Sequence, residues 1–203
     1  MHQISSGKDR LIELFWALQD IMTDLVTSVD VYFLLKEGAQ MSNKVKRISA
    51  QIPLFYEKPN DLQIMSLNRI TLFPIVIALT KINELRSAYG KEINELADGS
   101  CGKALSTSMS YYDLESLRRF RHSAVAHPLK KNPEGKRPLT RSELTELIIR
   151  VLDKNASQSR FSADDMKKFL RRIHKRDGAC LTLTIRDVCK KIEDSGISVL
   201  PRP

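Results

Sequence analysis

The chain has few of the residues that break or cross-link regular structure. Its 203 residues include 8 glycines, 8 prolines and 3 cysteines. So little glycine and proline argues against a fibrous or low-complexity protein. Three cysteines with no CxxC pair form neither a disulfide framework nor a zinc site, and they fit a reducing cytoplasm. Aromatic residues make up only 6% of the chain and β-branched runs are short, so we do not expect an all-β fold.

Long apolar runs are missing as well. The first ten residues have no apolar core of the kind that signal peptides carry. The longest uncharged apolar stretch lies between Arg69 and Lys81, which is about half of the roughly 20 residues that a membrane span needs. We therefore expect a cytoplasmic protein with no membrane partner.

Motifs for common ligands are absent. The sequence contains no GxxxxGK[ST] or GxGxxG phosphate loop, and no HExxH or DxD cluster. The four histidines share no metal-ligand spacing, and no cysteine lies in a recognisable catalytic context. From these absences we expect that the protein uses no cofactor and no metal ion.

Positive charge is concentrated in the second half of the chain. Residues 1–100 hold 11 Lys and Arg against 12 Asp and Glu, a net charge of −1, whereas residues 101–203 hold 22 against 12, a net charge of +10. This asymmetry favours a polyanionic partner such as nucleic acid. The alternative is a basic protein whose charge has no specific partner.

Apolar residues at helical spacing predict two long helices, from Lys8 to Glu37 and from Leu62 to Tyr89. In the second helix, Ile75 to Leu79 should be buried on every side, and Pro74 marks either a kink or the start of another segment. Asn68 falls on the most buried stripe of this helix, so its amide needs a hydrogen-bond partner. Two long amphipathic helices predict an all-α helical bundle.

The remaining elements are shorter. Residues 39–52 allow a short basic helix, and a loop follows. Glu92 to Asp98 extends or restarts the long helix, residues 98–103 break it, and residues 104–110 are small and polar. Ser110 with Asp113 resembles a capping box ahead of the next helix. Other expected features, in order, are a loop at 128–138, a helix capped by Thr140 or Ser142, a helix capped by Ser162, and a short strand then a helix in 180–194.

This pattern divides the chain into three parts. Residues 1–130 form the bundle, residues 131–139 a basic proline-rich loop, and residues 140–203 a helical extension that we expect to pack on the bundle.

The segment Ser116–Pro128, with the sequence SLRRFRHSAVAHP, has an unusual pattern. On a helical wheel Arg121 falls inside an apolar stripe, so it either leaves the core at the end of the bundle or is buried with partners. Asn68 is a candidate partner. His127 lies on the flank of the same stripe, directly before Pro128, which closes the helix. The stripe consists of Leu114, Leu117, Ala124 and Val125, with Phe120 at its edge.

One arginine and one histidine are too few for metal-free RNA cleavage, but two copies of the pair brought together in a symmetric dimer would be enough. That reaction needs a base for the 2′-hydroxyl proton, a positive charge for the transition state and an acid for the leaving oxygen. Histidine can serve as acid or base, and arginine stays charged and grips phosphate. Arg121 and His127 differ by about 120° around an ideal helix and roughly 9 Å along it. They could converge at the helix end, or against the same residues of a second chain in a symmetric dimer.

The residues FRHSAVAHP resemble the signature of the HEPN superfamily, in which an arginine and a polar residue are followed by a histidine after three or four more positions. The likeness is greatest to the abortive-infection (U-class) branch, where the motif commonly ends in Ala-His. The matching positions are Arg121, His122 in the polar slot, and His127. The polar slot is usually Asn or Asp, so His122 is a departure. The resemblance covers about residues 8–130.

The resemblance implies a helical bundle of HEPN type and a metal-independent endoribonuclease of toxin–antitoxin or phage-defence systems. It also implies a homodimer formed through the motif helices, and an antitoxin protein as a further partner. Arg121 and His127 would be catalytic, with His122 supporting them. Asn68 is a further supporting candidate because of its buried position on the second long helix, although a role in core packing or at a kink is the favoured interpretation. Four basic residues beside the motif are candidates for RNA contact: Arg118, Arg119, Lys130 and Lys131.

Two other interpretations remain open. A HEPN-like protein could bind nucleic acid or a partner protein without cleaving. Alternatively, Arg121 pairs with a carboxylate or amide for structural reasons, and His127 is stabilised by the helix dipole.

Overall fold

The computed structural model of the chain describes residues 7–38, 61–122, 129–132, 135–138, 140–156, 162–175 and 178–197. Within these ranges the protein is a helical bundle with one short β-hairpin, which confirms the predicted all-α class. None of the helices in these ranges is long and apolar enough to cross a bilayer. The elements, in chain order, are α1 (Gly7–Gly38), α2 (Asp61–Ala88), α3 (Gly90–Glu95), a 3-10 turn (Leu96–Gly99), α4 (Ser100–Met109), α5 (Leu114–Phe120), β1 (Leu129–Asn132), β2 (Gly135–Pro138), α6 (Arg141–Leu152), α7 (Ala163–Ile173) and α8 (Leu181–Asp194).

The two long helices, α1 and α2, pack against each other along the bundle, and both were predicted from apolar spacing. α2 is one continuous helix that contains Pro74, whose side chain faces solvent. The proline has no amide hydrogen to donate to the carbonyl of Ile70, one turn earlier, and Ile70 lies at an exposed position of the helix. The centre of α2 is largely buried, as expected: Ile75, Val76, Ala78 and Leu79 are at most 1% exposed.

A sharp turn joins α3 to α4. Ala97, Asp98 and Gly99 have φ angles of 48°, 53° and 81°, in the left-handed region that glycine adopts most easily. The predicted break at 98–103 is therefore present but shorter, because Ser100 already begins α4. The small polar residues that follow, for which no helix was predicted, belong to α4 as far as Met109.

α4 is stabilised by packing rather than by helix propensity. Cys101, Leu105 and Met109 recur every four residues and are all buried. Gly102 lies where α4 approaches α3, since a Cβ atom there would come within 2.1 Å of Asn94 Oδ1.

The C-terminal helices begin at the predicted caps. Thr140 and Ser162 each form a capping box, with Glu143 and Asp165 respectively. The short strand expected within 180–194 is absent: Leu181 to Asp194 is a single helix, α8. Its apolar residues follow helical spacing, and they pack against α1 and α4. The division into residues 1–130, 131–139 and 140–203 stays a prediction.

The segment between α5 and α6 contains a hairpin where a loop was expected. β1 and β2 pair antiparallel, with Lys130 opposite Arg137 and Lys131 opposite Lys136. Pro138 fits this arrangement, because a proline is tolerated on an edge strand. The prediction of an irregular loop at 128–138 was therefore wrong for these strand residues.

The predicted short helix at 39–52 and the loop after it lie outside the described residues.

Candidate functional site

Asp113, rather than Ser110, caps the helix that carries the motif. Asp113 Oδ1 accepts hydrogen bonds from the amides of Glu115 and Ser116, at 3.1 and 3.2 Å. Asp113 Oδ2 accepts one from the Ser116 hydroxyl at 2.7 Å. The predicted capping box at Ser110 was wrong, because the chain turns through residues 110–112 before α5 starts at Leu114.

The amount by which the Asp113 cap stabilises the fold depends on pH. Burial acts to raise the pKa of Asp113, but the bonds from the Ser116 hydroxyl and from the two amides outweigh it, so the pKa is lowered. Because the pKa of Asp113 is lower in the folded protein than in the unfolded chain, the charged cap stabilises the fold at any pH above the unfolded-state pKa. This contribution is lost as the pH falls through the folded-state pKa.

We expect Asp113→Ala to lower the free energy of unfolding by about 1 kcal/mol at pH 7, as for other helix caps. The loss should shrink at about pH 3, where the carboxyl is protonated in the unfolded chain. Thermal unfolding followed by circular dichroism at both pH values measures it. Ser110→Ala is the control and should melt close to the parent. An equal loss at both pH values would contradict the role of the charged cap.

α5 has one buried face and one basic exposed face. Ser116, Leu117 and Phe120 are buried, and the Phe120 ring lies 5.7 Å from the Phe73 ring of α2. The exposed face is formed by residues three and four apart: Glu115, Arg118, Arg119 and His122. This packing against α2 fixes which side chains of the motif face solvent.

Arg121 lies at the end of α5 and leaves the core. Its Nη1 donates to Glu84 Oε1 of α2 at 3.0 Å, and the two side chains are 42% and 58% exposed. The helical wheel left open whether Arg121 leaves the core or is buried with partners, and the structure shows that it leaves the core. An ion pair this exposed contributes about 0–1 kcal/mol, so it orients Arg121 more than it stabilises the fold.

Asn68 is buried but is not the partner of Arg121. A guanidinium group only donates hydrogen bonds, and Asn68 Oδ1 has no partner among the described residues. Asn68 also precedes Glu84 by 16 positions, or about 24 Å along α2. The hypothesis that Asn68 meets Arg121 was wrong.

The structure brings together only part of the predicted site. Arg118, Arg119, Arg121 and His122 lie within five consecutive positions, and all four reach solvent. Lys130 and Lys131 lie on β1, where the structure gives the strand pairing. His127 and the rest of residues 123–128 lie outside the described residues, so the convergence of Arg121 and His127 stays a prediction.

Glu84 is the site residue that the sequence did not reveal. It lies at a polar position near the end of α2, and its pairing with Arg121 spans 37 positions. No local pattern signals such a contact. Elsewhere in the described ranges, no group of three or more His, Cys, Asp or Glu side chains is arranged to hold a metal ion.

The basic end of α5 can bind phosphate groups. Arg118 and Arg119 make no ion pair with any described residue, and Arg121 keeps Nε and Nη2 without a partner among them. Guanidinium groups in this state suit charge-assisted bonds to phosphate oxygens. Comparison with protein-family models, curated proteins and solved structures found no match to this chain.

Proposed function

We propose that the protein is a metal-independent endoribonuclease of toxin or phage-defence type that acts in the cytoplasm. Cleavage would take place at a composite site formed by Arg121 and His127 in a homodimer. The observation that supports the proposal is the motif itself: α5 packs one face into the core, and Arg121 at its end reaches solvent beside Arg118 and Arg119.

The residues can be given roles in transesterification. The 2′-hydroxyl attacks the adjacent phosphorus, its proton passes to a base, and the 5′-oxygen leaves with a proton from an acid. His127 from each protomer supplies one of these two groups, because an imidazole titrates near neutral pH. Arg121 stabilises the charge that develops on the phosphate oxygens. The products are a 2′,3′-cyclic phosphate and a 5′-hydroxyl end.

Glu84 is assigned a positioning role. Its carboxylate binds Nη1 of Arg121 at 3.0 Å, which limits the positions open to a flexible side chain. The remaining nitrogens of the guanidinium are then held ready for phosphate. His122, next in the chain, is exposed and occupies the polar slot of the motif.

A second function is binding without cleavage, either to RNA or to a partner protein such as an antitoxin. The Arg121–Glu84 pair favours this alternative, because the carboxylate offsets part of the charge that a transition state would need. Salt dependence would identify it: binding to RNA weakens steeply as salt rises.

The test is cleavage of RNA by the purified protein in the presence of EDTA. We expect fragments that end in 2′,3′-cyclic phosphate and begin with a 5′-hydroxyl, which enzymatic end-labelling distinguishes from the ends that most metal-dependent nucleases leave. The nuclease proposal fails if a mixture of cellular RNAs stays intact, or if cutting requires an added divalent cation.

A further inference from the structure

Beside the motif lie a tyrosine and two cations, Tyr111, Lys154 and Arg172, to which the proposed chemistry gives no role. The surface called here the Tyr111 surface consists of these three residues together with Arg118 and Arg119 on the exposed face of α5. The side chain of Tyr111 is 54% exposed, so the face of its ring can be reached by a ligand.

Tyr111 is held in place by the turn between α4 and α5. Its neighbour Tyr112 is 5% exposed, and the Tyr112 ring packs edge-on against Phe169 of α7 at 5.9 Å. The Lys154 ammonium donates to the carbonyl of Ser110, on the other side of Tyr111. The turn is therefore fixed on both sides, and Tyr111 extends from it into solvent.

Arg172 lies next to this ring. Its guanidinium carbon is 5.8 Å from the centroid of the Tyr111 ring, within the range of a cation–π contact. Burial raises the pKa of the neighbouring Tyr112, and the positive charge of Arg172 acts against that rise. An exposed aromatic ring beside a guanidinium group is suited to stacking an unpaired base.

The charge of the Tyr111 surface is mostly uncompensated. Across the part of the chain that the structure describes, no ion pair is formed by Arg118, Arg119 or Arg172. Of the acids near this surface, Glu146 pairs with Arg150, and Asp113 caps α5 through neutral donors and keeps its negative charge. Glu115 is the acid on the exposed face of α5, and the cations on the surface outnumber it.

From this arrangement we infer that the Tyr111 surface binds a single-stranded segment of RNA, with one unpaired base stacked on Tyr111 and the adjoining phosphates held by Arg172, Lys154 and the α5 arginines. A duplex would keep its bases stacked on each other and could not offer a free face to the ring. Asp113 and Arg121 are eight positions apart, or about 12 Å along the helix, so the strand leads toward the motif. The inference rests on the proposed function in taking RNA as the ligand, and it adds where the strand lies.

Binding can be measured separately from cleavage in the full-length His127→Ala protein. We would titrate it into a fluorescently labelled 12-nucleotide single-stranded RNA, and into a blunt duplex of the same length, and follow the anisotropy. Tyr111→Ala should weaken binding of the single strand about tenfold, since stacking on an aromatic ring contributes about 1–3 kcal/mol per base. Binding of the duplex should change less than twofold. Tyr111→Phe keeps the ring and should bind like its parent.

The arginines of α5 give a second, electrostatic measurement. For single strands, each phosphate contact contributes about 0.7 to the slope of log binding constant against log salt. The double substitution Arg118→Ala and Arg119→Ala should therefore lower that slope by about 1.4 if each side chain binds one phosphate. Circular dichroism spectra and melting temperatures close to the parent's would show that the variants fold.

The inference is overturned if Tyr111→Ala binds the single strand as its parent does, if Tyr111→Phe loses as much as Tyr111→Ala, or if the parent prefers the duplex. If the wild-type protein cuts no RNA while Tyr111→Ala still loses binding, the nuclease proposal fails and the Tyr111 surface stands. If the wild-type protein cuts RNA while Tyr111→Ala binds normally, the inference about the Tyr111 surface fails and the nuclease proposal stands.

Discussion

Alanine at Arg121 or at His127 is expected to abolish RNA cleavage while the protein stays folded. Removing a general acid or base costs about 10²–10⁴-fold in rate, and removing a group that stabilises the transition-state charge costs about 10²–10³-fold. Arg121 is 42% exposed in its side chain, so its truncation leaves no cavity in the core. The measurement is the initial rate of fragment formation from one RNA, with melting temperatures recorded for each variant.

Arg186→Ala is a matched control for Arg121→Ala. Arg186 is an exposed arginine on α8, and neither the motif nor the Tyr111 surface includes it. It removes the same charge from the protein, so it reveals how much of any loss comes from net charge alone. If Arg121→Ala and His127→Ala cut RNA at the parental rate, the assignment of these residues is wrong even if the protein is a nuclease.

The long helices were predictable because their signals are local and repeated. α1 and α2 each carry apolar residues at helical spacing over about eight turns, and Thr140 and Ser162 carry caps that can be recognised within four residues. α4 was missed because its small polar residues have weak helix propensity. Its stability comes from α8, which contacts it from about 80 positions further along the chain.

Part of the candidate site was also predictable. Arg118, Arg119 and His122 were identified by residue type. The structure places them on one exposed face, and their roles stay predictions. The wheel placed Arg121 inside the apolar stripe because it assumed 100° per residue to the end of the helix. The structure instead has a wider turn at residues 121–122, and the long side chain reaches Glu84 at the surface.

The contacts that give the site its shape are tertiary, and no local sequence signal reveals them. Glu84 with Arg121, and Tyr111 with Arg172, join residues that are 37 and 61 positions apart. The first pair forms because α5 packs against α2, and the second because Tyr112 packs against Phe169 of α7 and brings the turn before α5 beside Arg172. A single sequence reports which residues could carry chemistry, whereas packing decides which of them meet.

Phe120→Ala is expected to have the largest effect on stability, because it removes the anchor of the motif helix. Phe120 is fully buried and its ring lies 5.7 Å from that of Phe73, at an interplanar angle of 60°. Truncating a buried phenylalanine to alanine costs about 3–5 kcal/mol. In a chain of this size each kcal/mol lowers the melting temperature by roughly 2–4 °C, and thermal unfolding measures the sum.

The control is Leu34→Ala, which also shortens a large apolar side chain, but one that is 66% exposed on α1. Its melting temperature should change little, since surface substitutions usually stay within about 0.5 kcal/mol. The packing of α5 on α2 is wrong if Phe120→Ala melts with the parent.

The Phe120→Ala and Arg121→Ala variants also separate an effect on stability from an effect on chemistry. Phe120→Ala should lose RNA cleavage only in proportion to its unfolded fraction, and recover it on moderate cooling, whereas Arg121→Ala should stay inactive while fully folded.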